Sequence, residues 1–559
     1  MKIYFCSDKI DVFDDNSIYL FQDHIYDRHS KPWDDYGYTI MFQAYIKKND
    51  ELKNLGFLRI LTKEYTDTSK YFLEKAQKLN DEIYDISNIL KPENTISIGF
   101  TIDYYHKLNK LFAKQSRDVL KSICDASYNY NKYQIYSKWN GFNVALMRGK
   151  SSDSLLVKGY KTALGEYSIP DEFNINLTSL NNIEDTDFYF NNVNELSKIN
   201  INVLVGNNGV GKTTILQEII DIVSGVKDIK EKWPYFNKLI TVAFSPFEKF
   251  YTKEQLIKEL DNKNIEDQNI QIKNEKEKTR KRKRKLKTEY AYIGFRNEDN
   301  VFDLNFPKSN IILSIIKIFE YDLENSWWQE KNRLKILFDT LSLSITFDAI
   351  KFKKKNGDYL LLSKNNVTDF QKEEIDLKEE IKFCILKENK DEEITLSSGQ
   401  MIYSYMLPAI ISELEDESLI IIDEPELYLH PTIEVGLISM LNYLLDVTSS
   451  YAIVATHSSI IVREVNRRGI KVLRRSADKY TEVNNPSVET YGESIDIITG
   501  EIFDDFYTDK PYQKKITNYI SKDFDKNIEK IKSEIGDDAL AFAFSKKSTN
   551  KSLVFKEDV

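Results

Sequence analysis

Cysteine and long hydrophobic runs are both scarce in this chain. Its three cysteines, Cys6, Cys124 and Cys384, are far apart, so the sequence offers neither a disulfide framework nor the paired cysteines of a thiolate zinc site. No apolar run approaches the roughly 18 residues that cross a bilayer, and the acidic residues near the start do not fit a signal peptide. We therefore expect a cytoplasmic protein without a membrane segment.

Glycine and histidine are rare as well, and the net charge is small. The 559 residues include only 19 glycines and five histidines, whereas glycine usually makes up about 7% of a protein. With 78 basic and 88 acidic residues the formal charge is −10, which disfavours unspecific coating of DNA but leaves room for local patches. The positions where the few glycines and histidines gather are therefore informative.

The first part of the chain shows mixed strand and helix patterns without a catalytic motif. Residues 37–46 and 55–62 are rich in β-branched and aromatic residues and predict neighbouring strands. Apolar residues at helical spacing predict a helix over 102–123. We interpret residues 1–155 as an N-terminal α+β domain.

The pattern changes after this domain and predicts two further segments. Residues 156–505 alternate strand-like and helical patterns and contain a charged insert at 251–290 and a helical lobe at 305–345. Residues 506–559 are polar and helical in pattern. The fold class that follows is α/β.

A glycine-rich turn lies between an apolar strand pattern and a helix pattern. Residues 206–213 read GNNGVGKT and fit GxxxxGK[ST] in full. Strand–loop–helix context is what this chemistry requires, because backbone N–H groups and a helix N-terminus then surround phosphate oxygens. Lys212 would reach the β- and γ-phosphates and the Thr213 hydroxyl would bind Mg²⁺. The nucleotide-binding residues predicted here are Gly206, Asn207, Asn208, Gly209, Val210, Gly211, Lys212, Thr213 and Thr214.

Two acids follow another apolar strand pattern, at residues 419–423. A buried strand delivers Asp423 to a Mg²⁺ shell, and Glu424 can orient and polarise an attacking water. Upstream, residues 396–400 read LSSGQ. Downstream, His457 follows a further apolar strand pattern at 451–455.

In this order and spacing, the motifs resemble those of the ABC-type ATPase superfamily. LSSGQ is similar to its LSGGQ signature with one serine in place of glycine, Asp423-Glu424 resembles its Walker B pair, and His457 matches its switch histidine. The resemblance covers roughly residues 156–500. It implies an ABC-ATPase head, a mixed sheet with a phosphate-loop core plus a helical lobe, here with the additional N-terminal α+β domain.

The resemblance also implies how the site works and what it binds. The signature of one subunit would close over ATP held by the phosphate loop of another, so that ATP joins two heads and hydrolysis separates them. A chain with one phosphate loop and one signature needs a partner, most simply a second copy in an ATP-sandwich homodimer or a higher oligomer. The signature residues implied to contact the nucleotide are Ser397, Ser398, Gly399 and Gln400.

Catalytic residues and metal ligands follow from the same resemblance, with ATP and Mg²⁺ as cofactors. The implied catalytic residues are Glu424, His457 and Lys212. The implied metal ligands are Thr213, Asp423 and Ser245, where Ser245 takes a position at which the family usually has glutamine. An adenine-stacking aromatic is expected before the phosphate loop, and the sequence leaves Phe188, Tyr189 and Phe190 as alternatives.

The loop after Asp423-Glu424 indicates the branch of the superfamily. Residues 425–431 read PELYLHP, a form similar to SMC and RecF-like proteins, the OLD family and PtuA-type anti-phage ATPases of Septu and retron systems. His430 in this loop has two interpretations, a catalytic residue or one that shapes the subunit contact.

One segment is strongly basic. From Lys276 to Lys287, KEKTRKRKRKLK, nine of twelve residues are basic, so nucleic acid is a candidate partner, with a solvated loop or an acidic protein contact as alternatives. The sequence shows no nuclease motif of its own, and we therefore expect a separate effector protein, a nuclease or toxin.

The sequence thus predicts an ATP-hydrolysing head dimer that senses or gates this effector in prokaryotic anti-phage defence. Two alternatives stay open: a RecF-like DNA-repair ATPase, and an ATP-dependent scaffold that cages a partner with little hydrolysis.

Overall fold

The computed structural model contains two compact units, Met1–Gly492 and Glu493–Val559. It describes residues 1–10, 13–25, 32, 34, 37–48, 51–147, 150–167, 172–178, 180–191, 198–227, 233–234, 236–245, 248–267, 290–297, 299–325, 332–363, 375–377, 379–387, 390–505, 510–521 and 524–554. The domain boundaries predicted at 155/156 and 505/506 stay predictions.

The strands occur in the first unit. In chain order they are β1 (Ile3–Cys6), β2 (Ile18–Gln22), β3 (Met41–Lys48), β4 (Glu51–Thr62), β5 (Gln77–Lys78), β6 (Ile83–Asp85), β7 (Thr95–Gly99), β8 (Glu172–Leu177), β9 (Thr186–Asn191), β10 (Ile201–Gly206), β11 (Leu239–Ala243), β12 (Tyr290–Gly294), β13 (Ala349–Lys353), β14 (Tyr359–Ser363), β15 (Lys382–Lys387), β16 (Lys390–Ile394), β17 (Leu419–Asp423), β18 (Tyr451–Ala455), β19 (Ile470–Arg475) and β20 (Thr481–Asn484).

Helices are spread over both units. In chain order they are α1 (Thr68–Lys75), α2 (Ile102–Phe112), α3 (Ser116–Ser122), α4 (Tyr133–Tyr136), α5 (Lys150–Leu164), α6 (Lys212–Ser224), α7 (Lys253–Asp267), α8 (Phe306–Asn325), α9 (Arg333–Leu341), α10 (Ser398–Glu413), α11 (Pro431–Val447), α12 (Ser459–Arg463), α13 (Ile495–Glu501), α14 (Pro511–Ile520), α15 (Phe524–Ile531) and α16 (Asp537–Val554).

A mixed sheet forms the centre of the motif-bearing region. Its strand order is β12-β11-β17-β18-β10-β19-β20, and all neighbours are parallel except β19 and β20. Strands β10, β17 and β18 are buried throughout, as their runs of Ile, Val and Leu predict for parallel strands covered on both faces. Helices α8 and α10 pack together as the helical lobe. The predicted α/β class with a phosphate-loop core is therefore confirmed.

The N-terminal region has its own sheet and core. The strand order is β5-β6-β1-β2-β3-β4-β7, antiparallel except for the β1–β2 pair. Helices α2 and α5 pack on each other and on this sheet, and the buried apolar cluster runs along the chain from Ile3 to Ala163. The α+β character expected of this region is confirmed.

The prediction of a single helix over 102–123 is wrong. Helix α2 ends at Phe112, a short 3-10 turn follows, and α3 begins at Ser116. Ala113 has φ +48° and ψ −123°, which lies outside the α-helical region and interrupts α-helical hydrogen bonding. Apolar spacing continues across this break, which is why periodicity alone did not locate it.

The second unit has a small helical core. Ile516, Ile520, Ile528 and Ala543 form it, which fits the helical pattern of the C-terminal segment. Among the described residues of the whole chain, no helix is long and apolar enough to cross a membrane.

Candidate functional site

The carboxyl edge of the central sheet brings the predicted motifs together. Strand β10 ends at Gly206, β17 ends at Asp423, and β18 ends two residues before His457, with β18 lying between the other two. Ligands of open α/β sheets bind at this edge, because loops and helix N-termini converge there. Residues far apart in sequence thus become neighbours through parallel strand order.

The phosphate loop needs glycine for its backbone shape. Gly206, Gly209 and Gly211 have φ values of +152°, +79° and +110°, which other residues rarely adopt. A Cβ atom at Gly206 would lie 2.5 Å from the carbonyl oxygen of Leu473, and one at Gly211 would lie 2.8 Å from Ile183. The loop is therefore held against strand β19 and the segment before β9.

Most of the loop is open to solvent. Its exposed residues are Asn207, Asn208, Gly209, Thr213 and Thr214. Val210 is buried instead, and its carbonyl oxygen accepts a hydrogen bond from Thr481 Oγ1 at 2.8 Å. Arg475 Nη1 donates to the carbonyl oxygen of Gly209 at 2.9 Å. Thr481 and Arg475 were not found by sequence reasoning, because supports from β19 and β20 carry no motif.

Lys212 is buried at the start of α6. Its ammonium group donates to the carbonyl oxygen of Gly206 at 2.7 Å and lies 2.7 Å from His457 Nε2. Burial lowers the Lys212 pKa, and the Glu424 and Asp423 carboxylates oppose that shift. The lysine thus connects the phosphate loop with the end of β18.

Asp423 and Thr213 are joined by a side-chain hydrogen bond at the carboxyl edge. Thr213 Oγ1 donates to Asp423 Oδ2 at 3.0 Å. The other carboxylate oxygen, Oδ1, is buried and has no hydrogen-bond partner among the described residues. Burial raises the Asp423 pKa to about 6. A hydroxyl beside an unsatisfied buried carboxylate oxygen fits Mg²⁺, which prefers oxygen ligands, so these two residues would hold that ion.

Glu424 lies beside the pair in a strained conformation. Its φ is +49°, and its backbone N–H donates to the carbonyl oxygen of Ala455 at 2.8 Å. The carboxylate Oε1 is 3.9 Å from His457 Nε2. A left-handed non-glycine residue costs about 1–3 kcal/mol and persists only where its surroundings enforce it, as at functional sites. The conformation keeps the Glu424 side chain partly exposed at the carboxyl edge.

Glu426 contacts the segment that carries His457. Its Oε1 accepts from the backbone N–H of His457 at 2.6 Å, and its Oε2 accepts from Thr456 Oγ1 at 2.8 Å. Burial raises the Glu426 pKa, and these hydrogen bonds oppose that shift. No motif in the sequence predicts a role for Glu426, although its position two residues after Glu424 is a possible signal.

The His457 side chain is about one-third exposed, at 34%. Burial of its remaining surface lowers the pKa of the imidazole, and the Lys212 ammonium group lowers it further. A neutral imidazole accepts a hydrogen bond at Nε2, which agrees with the short approach of Lys212. His457 therefore lies between the phosphate-loop lysine and Glu424.

The signature forms the N-terminus of helix α10. Ser397 is its N-cap and forms a capping box with Gln400, in which each side chain accepts from the other's backbone N–H. Ser397 and Ser398 are exposed, whereas Gly399 is buried. A Cβ at Gly399 would collide with the carbonyl oxygen of Tyr428. The signature of this chain thus packs on its own loop after β17.

His430 caps the helix that follows the same loop. Its Nδ1 accepts from the backbone N–H of Thr432 at 3.3 Å, at the N-terminus of α11. Tyr428, two residues earlier, is exposed and has φ +70°. The geometry gives His430 a structural contact and leaves its catalytic interpretation without support.

The remaining site expectations differ in outcome. Ser245 lies two residues after Ala243, which pairs with Asp423 across β11 and β17, so it is at the correct edge while its ligand role stays a prediction. Phe188 and Phe190 are fully buried in the core and Phe190 stacks on Phe173, so only Tyr189 of the three aromatics remains partly exposed. The basic segment from Lys276 to Lys287 lies outside the described residues.

Comparison with protein families identifies the motif-bearing region. Residues 201–463 match the family model described as "AAA domain, putative AbiEii toxin, Type IV TA system". The match covers 263 of the 559 residues, and it shows what this region is similar to. The matched range contains the phosphate loop, the signature, Asp423, Glu424 and His457, while the N-terminal region and the last 96 residues lie outside it.

Similar proteins were found over longer stretches of the chain. Protein ea59 of Escherichia phage lambda is 24% identical over 498 residues, which is 84% of each chain. Among solved structures, one titled RNase-L Inhibitor is 14% identical with a TM-score of 0.23, covering 54% of this chain and 35% of its own. UvrA2 from Deinococcus radiodurans is 10% identical with a TM-score of 0.24, covering 59% and 40%. The chain spans well under half the length of these two structures.

Proposed function

We propose that this protein binds MgATP at the carboxyl edge of its central sheet and hydrolyses it to ADP and phosphate. The observation that carries the proposal is the meeting of Lys212, Thr213 and Asp423 at one point, with a buried Asp423 oxygen that has no hydrogen-bond partner in the part of the chain that the structure describes. Buried polar atoms are nearly always satisfied, so the exception calls for a ligand.

The residues divide the chemistry among them. Backbone N–H groups of the phosphate loop and the Lys212 ammonium group bind phosphate oxygens, since both are fixed donors with positive character. Thr213 and Asp423 hold Mg²⁺, which supplies charge neutralisation for the phosphates when bound. Glu424 accepts the proton of the attacking water. His457, freed from its contact with Lys212 when that lysine moves onto phosphate, donates a ring N–H toward the γ-phosphate.

A second copy of the chain completes the site in this proposal. Ser397 and Ser398 are exposed at a helix N-terminus, where donors and the helix dipole favour an anion. Gly399, the next residue, packs against the loop after β17 in its own chain, and the two exposed serines serve nucleotide held by another chain. ATP then joins two heads and hydrolysis releases them.

We place this ATPase in the conflict between bacteria and phages, where it senses or gates a separate nuclease or toxin. The family description names a putative AbiEii toxin and a toxin–antitoxin system, and the relative ea59 is a phage lambda protein. Both support a setting in phage–host conflict. The chain's part is that of an ATP-dependent switch, with the effector on another chain.

The Glu424→Gln variant tests the proposal. It keeps ATP binding but removes the proton acceptor, so we expect phosphate release to fall at least about 100-fold and an ATP-dependent dimer to accumulate in light scattering. Lys212→Ala serves as the control that forms no dimer. Unchanged turnover in Glu424→Gln would contradict the assignment of the base, and tight binding without turnover in the native protein would favour the scaffold alternative.

Cells of the native host then provide the test for an effector. Tagged Glu424→Gln and Lys212→Ala proteins are purified in parallel with ATP, and the mass of each complex is measured. We expect a partner protein at fixed stoichiometry with the first variant alone. Equal recovery with both variants, or with neither, would contradict ATP-dependent gating.

A further inference from the structure

Glu426 is the carboxylate at this edge with both oxygens engaged by the segment that carries His457. Oε1 accepts from the His457 backbone N–H at 2.6 Å and Oε2 accepts from the Thr456 hydroxyl at 2.8 Å. The two hydrogen bonds come from two successive residues, Thr456 and His457, so they fix both the position and the direction of the chain after β18.

The same segment is held at other points. The Thr456 backbone N–H donates to the carbonyl oxygen of Leu204 in β10 at 3.0 Å, and the Ser458 backbone N–H donates to Thr456 Oγ1 at 2.9 Å. Ser458 Oγ donates to Glu434 on α11. Glu426 therefore completes a frame around His457 that reaches β10, the loop after β17 and helix α11.

Glu426 also shares a short loop with Glu424. Glu424 donates its backbone N–H to Ala455, the last residue of β18, while Glu426 accepts from the two residues that follow. Glu424 and His457 are thus fixed relative to each other by contacts of residues 424–426. These contacts are one backbone hydrogen bond of Glu424 and the two carboxylate hydrogen bonds of Glu426. A displacement of the segment after β18 would change the 3.9 Å separation between Glu424 Oε1 and His457 Nε2.

We propose that Glu426 is a positioning residue for ATP hydrolysis, which acts by holding His457 at its place between Lys212 and Glu424. The inference rests on the proposed function for its effect on turnover, but its structural part stands on the hydrogen bonds alone. A carboxylate suits the task because it only accepts, and both of its partners are donors.

A double-mutant cycle tests the coupling. Glu426→Ala and His457→Ala are each expected to lower kcat on the order of 10- to 100-fold, since small misplacement of a catalytic group costs this much, while the KM for ATP changes little. The double variant should be no slower than His457→Ala. Glu426→Gln, which keeps one acceptor, should recover part of the rate, and Glu464→Ala, which removes a carboxylate at the end of α12, should behave as the native chain. Multiplying effects in the double variant would overturn the proposal.

Histidine-selective nitrogen NMR gives a readout that is independent of turnover. In the nucleotide-free protein, Glu426→Ala should shift the His457 imidazole resonances, and Glu426→Gln should move them back toward the native values. Unchanged resonances in Glu426→Ala would overturn the inference even if turnover falls. Shifted resonances in a protein without ATPase activity would contradict the proposed function and support the positioning role.

Discussion

Strand β17 has carboxylates at both ends, and the two ends are built in opposite ways. Before the strand, Glu413 and Glu415 surround Lys238 at 2.8 and 3.2 Å, and Glu417 pairs with Lys158 of helix α5. After the strand, Asp423 has one oxygen on Thr213 and one buried oxygen with no partner among the described residues. At the amino end the acidic residues are thus paired with lysines. At the carboxyl end one buried oxygen of Asp423 has no partner among the described residues.

The pKa of each carboxylate near β17 depends on how strongly cations oppose the effect of burial. Burial acts to raise the Glu413 pKa, but the Lys238 and Lys317 ammonium groups outweigh it and lower that pKa. For Asp423 burial wins and the pKa rises to about 6. At the amino end, burial and the nearby Asp103 carboxylate raise the Asp416 pKa well above its usual range, against the Arg333 guanidinium group. Burial thus raises the pKa of Glu415 and Asp416 as well as that of Asp423, whereas the two ammonium groups beside Glu413 lower its pKa.

The largest expected effect comes from removing the buried lysine of the phosphate loop, Lys212. Lys212→Ala should weaken ATP binding at least about 100-fold, because a charge-assisted contact to phosphate is lost in a partly desolvated site. Isothermal titration with MgATP measures it. Lys227→Ala, which removes an exposed partner of Glu218 just after α6, is the control and should bind normally. Native affinity in Lys212→Ala would contradict the phosphate-loop assignment.

At the amino end, loss of a carboxylate should destabilise the fold. Glu417→Gln leaves the Lys158 ammonium group, whose side chain is only 14% exposed, without its carboxylate. We expect a loss of about 3 kcal/mol in the free energy of unfolding, measured by urea titration. Replacing Lys158 by Met in the same chain should restore much of it. The exposed-pair variant Asp81→Asn should be neutral, and equal stability of Glu417→Gln and Asp81→Asn would show that the pair adds nothing.

At the carboxyl end, loss of the Asp423 carboxylate should raise the free energy of unfolding instead of lowering it. The folded state raises the Asp423 pKa from 3.8 to about 6, so it binds the proton more tightly than the unfolded chain does. Stability therefore falls as pH rises from about 4 to about 6, and the full cost, about 3 kcal/mol at most, persists above pH 6. Asp423→Asn should be more stable than the native chain at pH 7, with the gain vanishing below pH 4. A destabilised variant at pH 7 would contradict this account.

The basic segment should give the smallest effect on the ATPase itself. Replacing the nine basic residues between Lys276 and Lys287 by Gln should weaken binding to a single-stranded oligonucleotide and flatten the salt dependence of that binding. Gln substitutions at the exposed Lys114 and Lys121 serve as the control. If neither affinity nor salt slope changes, the segment has another role.

Sequence reasoning reached the motifs because they obey local rules. GNNGVGKT needs its glycines for positive φ values, and the apolar run before Asp423 is what a buried parallel strand requires. The contacts of Glu426, Arg475 and Thr481 join residues from 30 to 271 positions apart. Such contacts depend on strand order, which no local pattern contains. The break at Ala113 is local, but the helical spacing of apolar residues continues across it, so the pattern does not predict it.

A structure of the Glu424→Gln variant with MgATP tests the central claim most directly. We expect phosphates wrapped by residues 206–213, Mg²⁺ beside Thr213 and Asp423 Oδ1, and Lys212 moved from the Gly206 carbonyl onto phosphate. The amino-end pairs of Glu413 and Glu417 should be unchanged. Nucleotide bound elsewhere, or a metal that leaves Asp423 untouched, would contradict the account.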